Sequence, residues 1–498
     1  VSAALSLEPE LIDAARRGDL ARVRTLLDRG ADVDHKNSSR ATALTRSAEN
    51  GHTETVVLLL DRGASIDHED FAGWTALMEA AKNGHTETVK LLLDRGADID
   101  QEDSRGLTSL IWASCGGHTE TVKLLLDRGA SIDHEDSDGL TALTLAAFEG
   151  HTETVELLLD REASIDHEYS DGWTALMLAA SGGHTETVEL LLDREASIDH
   201  ESSDGWTALM LASSKGHTET IELLLDYGAS IDHESSDGWT ALMRAVSKGH
   251  TKTVELLLDR EASIDHESSD GWTALMLASS KGHTETIELL LDREASIDHE
   301  SPGGRTALMW ASSKGHTETV ELLLDRGADV DYEGESGDTP LILAARHGQT
   351  STLALLARHG ADLDWENAHG MSALGVAVGG KRIDSIQTLL DLGASVQART
   401  PIGKDPMRLA IASGELDIVK LLTPRCQNPA DYLEDLSSKP GDQVAKYVKA
   451  QARKAVNAAY RNSRPPAASG FQASPPDTSA AGDTTGDQVV SRIRLEDF

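Results

Sequence analysis

Twenty histidines are the side chains of this 498-residue sequence best suited to chemistry, as metal ligands or as proton carriers. Nine of them, His52, His85, His118, His151, His184, His217, His250, His283 and His316, recur at intervals of 33 residues, each directly after a glycine. Eight more, His35, His68, His134, His167, His200, His233, His266 and His299, follow an aspartate at a second fixed place, mostly in Asp-His-Glu. A zinc site needs several such ligands about 2.0–2.2 Å from one ion. Units one helix-packing distance apart would hold equivalent imidazoles roughly 8–10 Å from each other, too far to share that ion. The same residue at the same place in every unit reads instead as a capping or hydrogen-bonding group. Calcium is disfavoured too: counting from Asp199, an EF-hand loop needs glycine sixth and glutamate twelfth, where Asp204 and Met210 stand. No G-x-S-x-G, H-E-x-x-H, P-loop or dinucleotide fingerprint occurs. The expectation is a non-catalytic chain with no metal and no cofactor.

Tryptophan is the better signal. Aromatics are 4% of the chain, yet five of the eight tryptophans hold one place, directly before a threonine: Trp74, Trp173, Trp206, Trp239 and Trp272. Four residues after the equivalent threonine stand Trp112, Leu178, Leu211, Arg244, Leu277 and Trp310. Tryptophan is strongly enriched in interface hot spots, so these eleven positions form a candidate strip for binding a protein or peptide. The alternative is that each indole packs on the next turn of its own chain, since exposed apolar side chains are common. Both can hold together.

The elements that position these residues follow from the period. One 25-residue stretch reads identically at 202–226 and 268–292, with a diverged copy midway, so the true repeat is 33 residues. Anchored on Thr42, Thr75, Thr108, Thr141, Thr174, Thr207, Thr240, Thr273, Thr306 and Thr339, and extended to Pro9, Ser372 and Asp405, the register gives thirteen units without an insertion. In the unit at Thr207, Asp204-Gly205 predicts a turn and Thr207 an N-cap. A first helix then runs from Ala208 to a stop at Gly216. His217-Thr218 opens a second helix whose apolar set is Ile221, Leu224 and Leu225. The residue four after the anchor is expected on the exposed face of the first helix. Helices this short are marginal alone, since isolated helices need roughly 12–15 residues. The core must therefore form between units.

The unit resembles the ankyrin repeat. Gly337-Asp338-Thr339-Pro340-Leu341 with Ala344-Ala345 carries the first half of that motif. Gly315-His316-Thr317-Glu318 through Leu322-Leu323-Leu324 to Gly327-Ala328-Asp329 carries the second. The resemblance spans about residues 5–423. It implies a mainly α solenoid, a β-turn or hairpin plus two antiparallel helices per repeat, whose hairpin tips face a concave protein-binding groove. Two departures stand out. Met78, Met177, Met210, Met243, Met276 and Met309 replace a customary histidine, so thioether packing should replace hydrogen bonding there. Glu162, Glu195, Glu261 and Glu294 replace the glycine that ends the second helix, where a left-handed backbone is strained for an L-residue.

Charge and cysteine usage narrow the setting. The segment before Pro424 holds 35 basic against 75 acidic side chains, a net −40, so the array carries the whole chain's −39. Such a surface argues against nucleic acid and membrane insertion, and for a protein or peptide partner with a basic component. Two cysteines, Cys115 and Cys426, allow no disulfide framework, no apolar run is long enough to span a bilayer, and the first residues lack the basic flank of a signal peptide. A monomer in the cytoplasm or nucleus is expected. Residues 424–462 are expected to add a basic amphipathic helix that either covers the open end of the array or recruits a partner, and 463–498 a disordered tail. The alternatives to a scaffold are a regulatory or inhibitory subunit acting through this C-terminal segment, and an acidic decoy for nucleic-acid-binding proteins.

Overall fold

A computed structural model describes residues 7–397, 405–437 and 442–462. Helix pairs follow one another in the register read from the anchors, from Leu7–Arg16 with Leu20–Asp28 to Pro406–Ser413 with Leu416–Leu422. In the unit at Thr207 the helices are Ala208–Lys215 and Thr218–Asp226. The first starts where Thr207 Oγ1 accepts the Met210 N–H at 3.4 Å, and it stops where Gly216 turns left-handed at φ +79°. Arg17-Gly18-Asp19, an adhesion tripeptide in other settings, is the turn between the first two helices, with Asp19 capping the second.

First helices pack on neighbouring first helices and second helices on neighbouring second helices. The result is two layers with a core that runs unbroken from Leu11 to Leu422 and on to Val444 and Val448 of the C-terminal helix. Ile221 and Leu224 are buried in it. Leu225, expected beside them, is half-buried, and the fully enclosed neighbour is Thr220. Its hydroxyl meets Thr185 Oγ1 of the preceding unit at 2.9 Å, which makes burial of a polar group tolerable. All six replacement methionines are buried.

Polar rows stitch each unit to the next. Asp199 Oδ1 accepts the Ser230 N–H at 2.9 Å, and Asp232 the Ser263 N–H at 2.9 Å. Arg260 meets Asp226 at 2.9 Å, Arg293 meets Asp259 at 2.8 Å and Arg326 meets Asp292 at 2.8 Å. Exposed pairs of this kind contribute about 0–1 kcal/mol each, so the apolar core carries most of the stability. Their interest is that many carboxylates behind the net charge are already engaged within the array.

The hairpin tips are turns, and among the described residues none is a β-strand. Ser202 N–H donates to Trp206 O at 2.9 Å within a tip, and Ser203 N–H to Asp171 O at 2.9 Å across tips. One such cross-link per unit is too little for a ladder. The C-terminal helix is Asp442–Asn462. It packs against Pro429–Tyr432 and Leu416–Leu422, with Val444, Val448 and Ala452 buried, so its apolar face covers the end of the array. That face is shorter than its sequence pattern: Val456 is 51% exposed. The side chain of Ala459, the linker 398–404 and the tail 463–498 lie outside the described residues.

Candidate interaction groove

Most of the repeated histidines are accounted for by the backbone. His217 Nε2 lies 3.1 Å from Ser181 O, His250 Nε2 3.1 Å from Ser214 O and His184 Nε2 2.9 Å from Phe148 O. Each caps the last turn of the preceding unit's first helix, which requires the proton on Nε2. A Cβ built on Gly183 would stand 2.6 Å from His217 Nδ1, so that glycine is needed both for its φ of +73° and for the ring beside it. The second row does similar work at the hairpins: His68, His134, His167 and His266 reach the carbonyls of Arg40, Gly106, Gly139 and Gly238 at 2.8–3.1 Å. In His200, His233 and His299 the same nitrogen faces the glutamate of the preceding unit, Glu168, Glu201 or Glu267, at 3.4, 3.4 and 3.1 Å. No group of three or more His, Cys, Asp or Glu converges on a metal-sized site among the described residues.

The tryptophan strip lies in the first-helix layer, and every indole in it is half-buried. Three local clusters organise it. Trp74 and Trp112 stand with ring centroids 4.5 Å apart, under Lys82 Nζ at 4.7 and 5.2 Å. Trp206 and Trp239 flank the Arg244 guanidinium at 4.0 and 4.6 Å. Trp272 and Trp310 are 4.3 Å apart, with the Arg305 guanidinium 4.7 Å from the Trp310 ring. Contacts at these distances each contribute on the order of 0.5–1.5 kcal/mol beyond burial. The indoles thus pack on neighbouring units, as weighed from the sequence, and remain part-exposed. Trp173 and Tyr169, 6.4 Å apart, sit between the first two of these clusters.

One expectation fails. Leu178, Leu211 and Leu277 are only 5%, 3% and 5% exposed, so the place four after the anchor is not an open face. First helices approach each other closely there, and the half-buried indoles Trp173, Trp206, Trp239 and Trp272 pack on the same apolar cluster. At the same place Arg46, Glu79, Trp112, Leu145, Arg244 and Trp310 reach accessible surface.

A cleft of about 600 Å³ opens between Trp173, Trp206 and Trp239, with Leu211 and Arg244 in its lining. Arg244 is fixed by Asp237 Oδ1 at 2.7 Å and Ser235 Oγ at 2.9 Å, while its Nε is buried without a hydrogen-bond partner. Trp310 Nε1 is likewise buried and unpartnered. The lining also includes Lys215 and Lys248, which sequence reasoning missed. They were findable: each stands four residues after Leu211 or Arg244, which puts it on the same helix face.

Electrostatics differ along the groove. Glu79, in the N-terminal part, is pushed up to about 7 by burial and then by the Glu49 carboxylate. His347, near the other end, is held below the usual imidazole value by burial and then by four cations, Arg346, Arg305, Lys314 and Arg382.

A three-copy ankyrin-repeat family model matches residues 11–103, 99–169, 164–235, 196–270, 231–301, 261–334 and 331–400. The chain belongs to the ankyrin-repeat family. A search of the curated proteins finds no match to it. Ankyrin repeats are generally protein–protein interaction modules, typically without catalysis of their own. Among the described residues of this ankyrin array, no helix is long and apolar enough to cross a membrane.

Proposed function

We propose that this ankyrin array is a non-catalytic scaffold or adaptor that holds a protein or peptide in its concave groove, across Trp74, Trp112, Trp173, Trp206, Trp239, Arg244, Trp272 and Trp310, with Leu178, Leu211 and Leu277 as the floor beneath them. The observation that supports it is the row of half-buried indoles with cations stacked on them, bordering a cleft of about 600 Å³. Ordinary packing would enclose the indoles fully; a surface preorganised for a partner leaves them part-exposed, as all seven are. The buried apolar face of Asp442–Asn462 favours this reading over a regulator acting through that helix.

Replacing Trp206 and Trp239 together by alanine tests the proposal. Truncated hot-spot indoles cost about 2 kcal/mol or more each. Partner capture from the native source, quantified against the unaltered full chain, should therefore fall by well over tenfold while far-UV circular dichroism is unchanged. Equal capture by both chains refutes the groove as the binding surface.

A further inference from the structure

Resting on that reading of the groove, we propose that its stretch from Trp173 to Arg305 takes an acidic segment of a partner protein, one that also carries an aromatic or aliphatic side chain, although the chain as a whole is strongly acidic.

The charge of this molecule is sorted by layer. Between 216 and 235, in a second helix and the loop after it, stand Glu219, Glu222, Asp226, Asp232 and Glu234 with no lysine or arginine. Of these, Asp226 and Asp232 are engaged by Arg260 and the Ser263 N–H. The same stretch of neighbouring units adds Lys252 and Arg194, Arg260 and Arg293, whose guanidinium groups are paired with Asp160, Asp226 and Asp259. The first-helix layer reads differently. Lys215, Lys248, Lys281 and Lys314 end four successive first helices, all four are exposed, and none makes an ion pair among the described residues. Arg305 also lacks a carboxylate partner there and rests only on the Trp310 ring. The acids that border this stretch at the turn tips are Asp171, Asp204, Asp237 and Asp270, and Arg244 already holds Asp237. Within the cleft, Lys215, Arg244 and Lys248 face the single carboxylate of Asp204. Just beyond it Arg346 is paired with Asp338 at 2.6 Å, and Arg382 adds a further cation near His347.

Net charge acts at long range, but the Debye length at physiological salt is about 8 Å. A ligand seated in the groove therefore meets the lysine row more strongly than the carboxylates of the other layer. The row also has a pitch. Successive helices pack about 8–10 Å apart, close to three residues of extended chain at about 3.3 Å each, so acids at every third residue match it. A single-stranded nucleic acid is the rival anion, and it needs open aromatic faces for its bases. Here the indole faces are taken by Arg244 and by one another, leaving edges better suited to an aromatic or aliphatic side chain.

The test is to pan a random 12-residue peptide display library on the full chain. The enriched peptide is then measured by fluorescence anisotropy at 0.15 M salt, beside its Glu→Gln and Glu→Lys versions and a 20-nucleotide oligo(dT). Enriched sequences should be rich in Asp and Glu around an aromatic or aliphatic residue. Lys215→Glu, Lys248→Glu and Lys281→Glu combined should weaken the peptide by about tenfold or more, since exposed ion pairs are individually small but three attractions become repulsions. These lysines bear no ion pairs, so circular dichroism of the variant should match the unaltered chain. Basic or neutral peptides that still depend on Trp206 and Trp239 would overturn the acidic-segment inference and leave the groove reading standing. Peptides indifferent to Trp206→Ala with Trp239→Ala, or no enrichment at all, would overturn both. Tighter binding of oligo(dT) than of the acidic peptide would overturn the choice of a protein partner.

Discussion

Replacing Glu162, Glu195, Glu261 and Glu294 by glycine should raise the stability of the array. All four hold a left-handed backbone, at φ +68°, +67°, +69° and +66°, where L-residues are strained by roughly 1–2 kcal/mol. The side chains give nothing evident in return, for they are exposed and in no ion pair among the described residues. Bonding at the helix end would not change: Glu162 N–H donates to Leu159 O at 3.0 Å, as Gly63 N–H does to Leu60 O at 3.0 Å in a unit that keeps the glycine. Glycine gives back about 0.5–1 kcal/mol through the larger entropy of the unfolded chain. The net gain is therefore about 0.5–1 kcal/mol per site, or about 2–4 kcal/mol for the four. Urea unfolding followed at 222 nm would read it as a higher midpoint. The substitutions also remove four negative charges from a chain of net −39, so the same four sites changed to glutamine provide the control. Glutamine removes charge and keeps the strain, and should recover only a minor part of the shift. A glycine variant that melts no later than the unaltered chain, or a glutamine variant that matches the glycine one, refutes the strain argument.

Two further outcomes follow from buried polar groups. Ser213, Ser279 and Ser312 are fully enclosed with hydroxyls that have no hydrogen-bond partner among the described residues, at a place where Ala48, Ala81 and Ala147 stand in other units. Changing the three to alanine should stabilise the array by about 1 kcal/mol each, and a lowered urea midpoint would contradict this. Glu79 has a folded value raised to about 7 from 4.5, so the folded state binds its proton more tightly than the unfolded chain does. Its contribution to stability is complete below about pH 4.5 and is lost as pH rises through about 7. Glu79→Gln should flatten that part of the stability–pH curve between pH 5 and 8, and identical curves for both chains would show that burial at this site is too slight to matter.

Much of this molecule is legible from local chemistry. The helix starts at Thr207 and its equivalents, the stops at Gly216, and the strained glutamates all follow from rules that act within a few residues, and the structure bears them out. That the tryptophans share one layer could be read from their spacing, because one register puts equivalent residues on one layer. The exposure of individual side chains could not. Leu211 and Leu145 share an offset and a side chain, yet Leu211 is enclosed and Leu145 is half-buried. The difference arises from the side chains that the adjacent units place beside each position, which no single repeat encodes.

The repeat, the two-helix unit and the absence of known catalytic fingerprints were determined by the linear sequence, since period, caps and helix stops are encoded within each 33-residue stretch. What only the tertiary structure decided is how the charges are shared out. Composition sums every carboxylate, whereas stacking engages Asp226, Asp232 and their equivalents with the next unit and lines up Lys215, Lys248, Lys281 and Lys314 along the groove. Coulomb energy falls with distance and is screened within about 8 Å at physiological salt. The neighbours brought together by folding, and not the total charge, therefore set what that surface attracts.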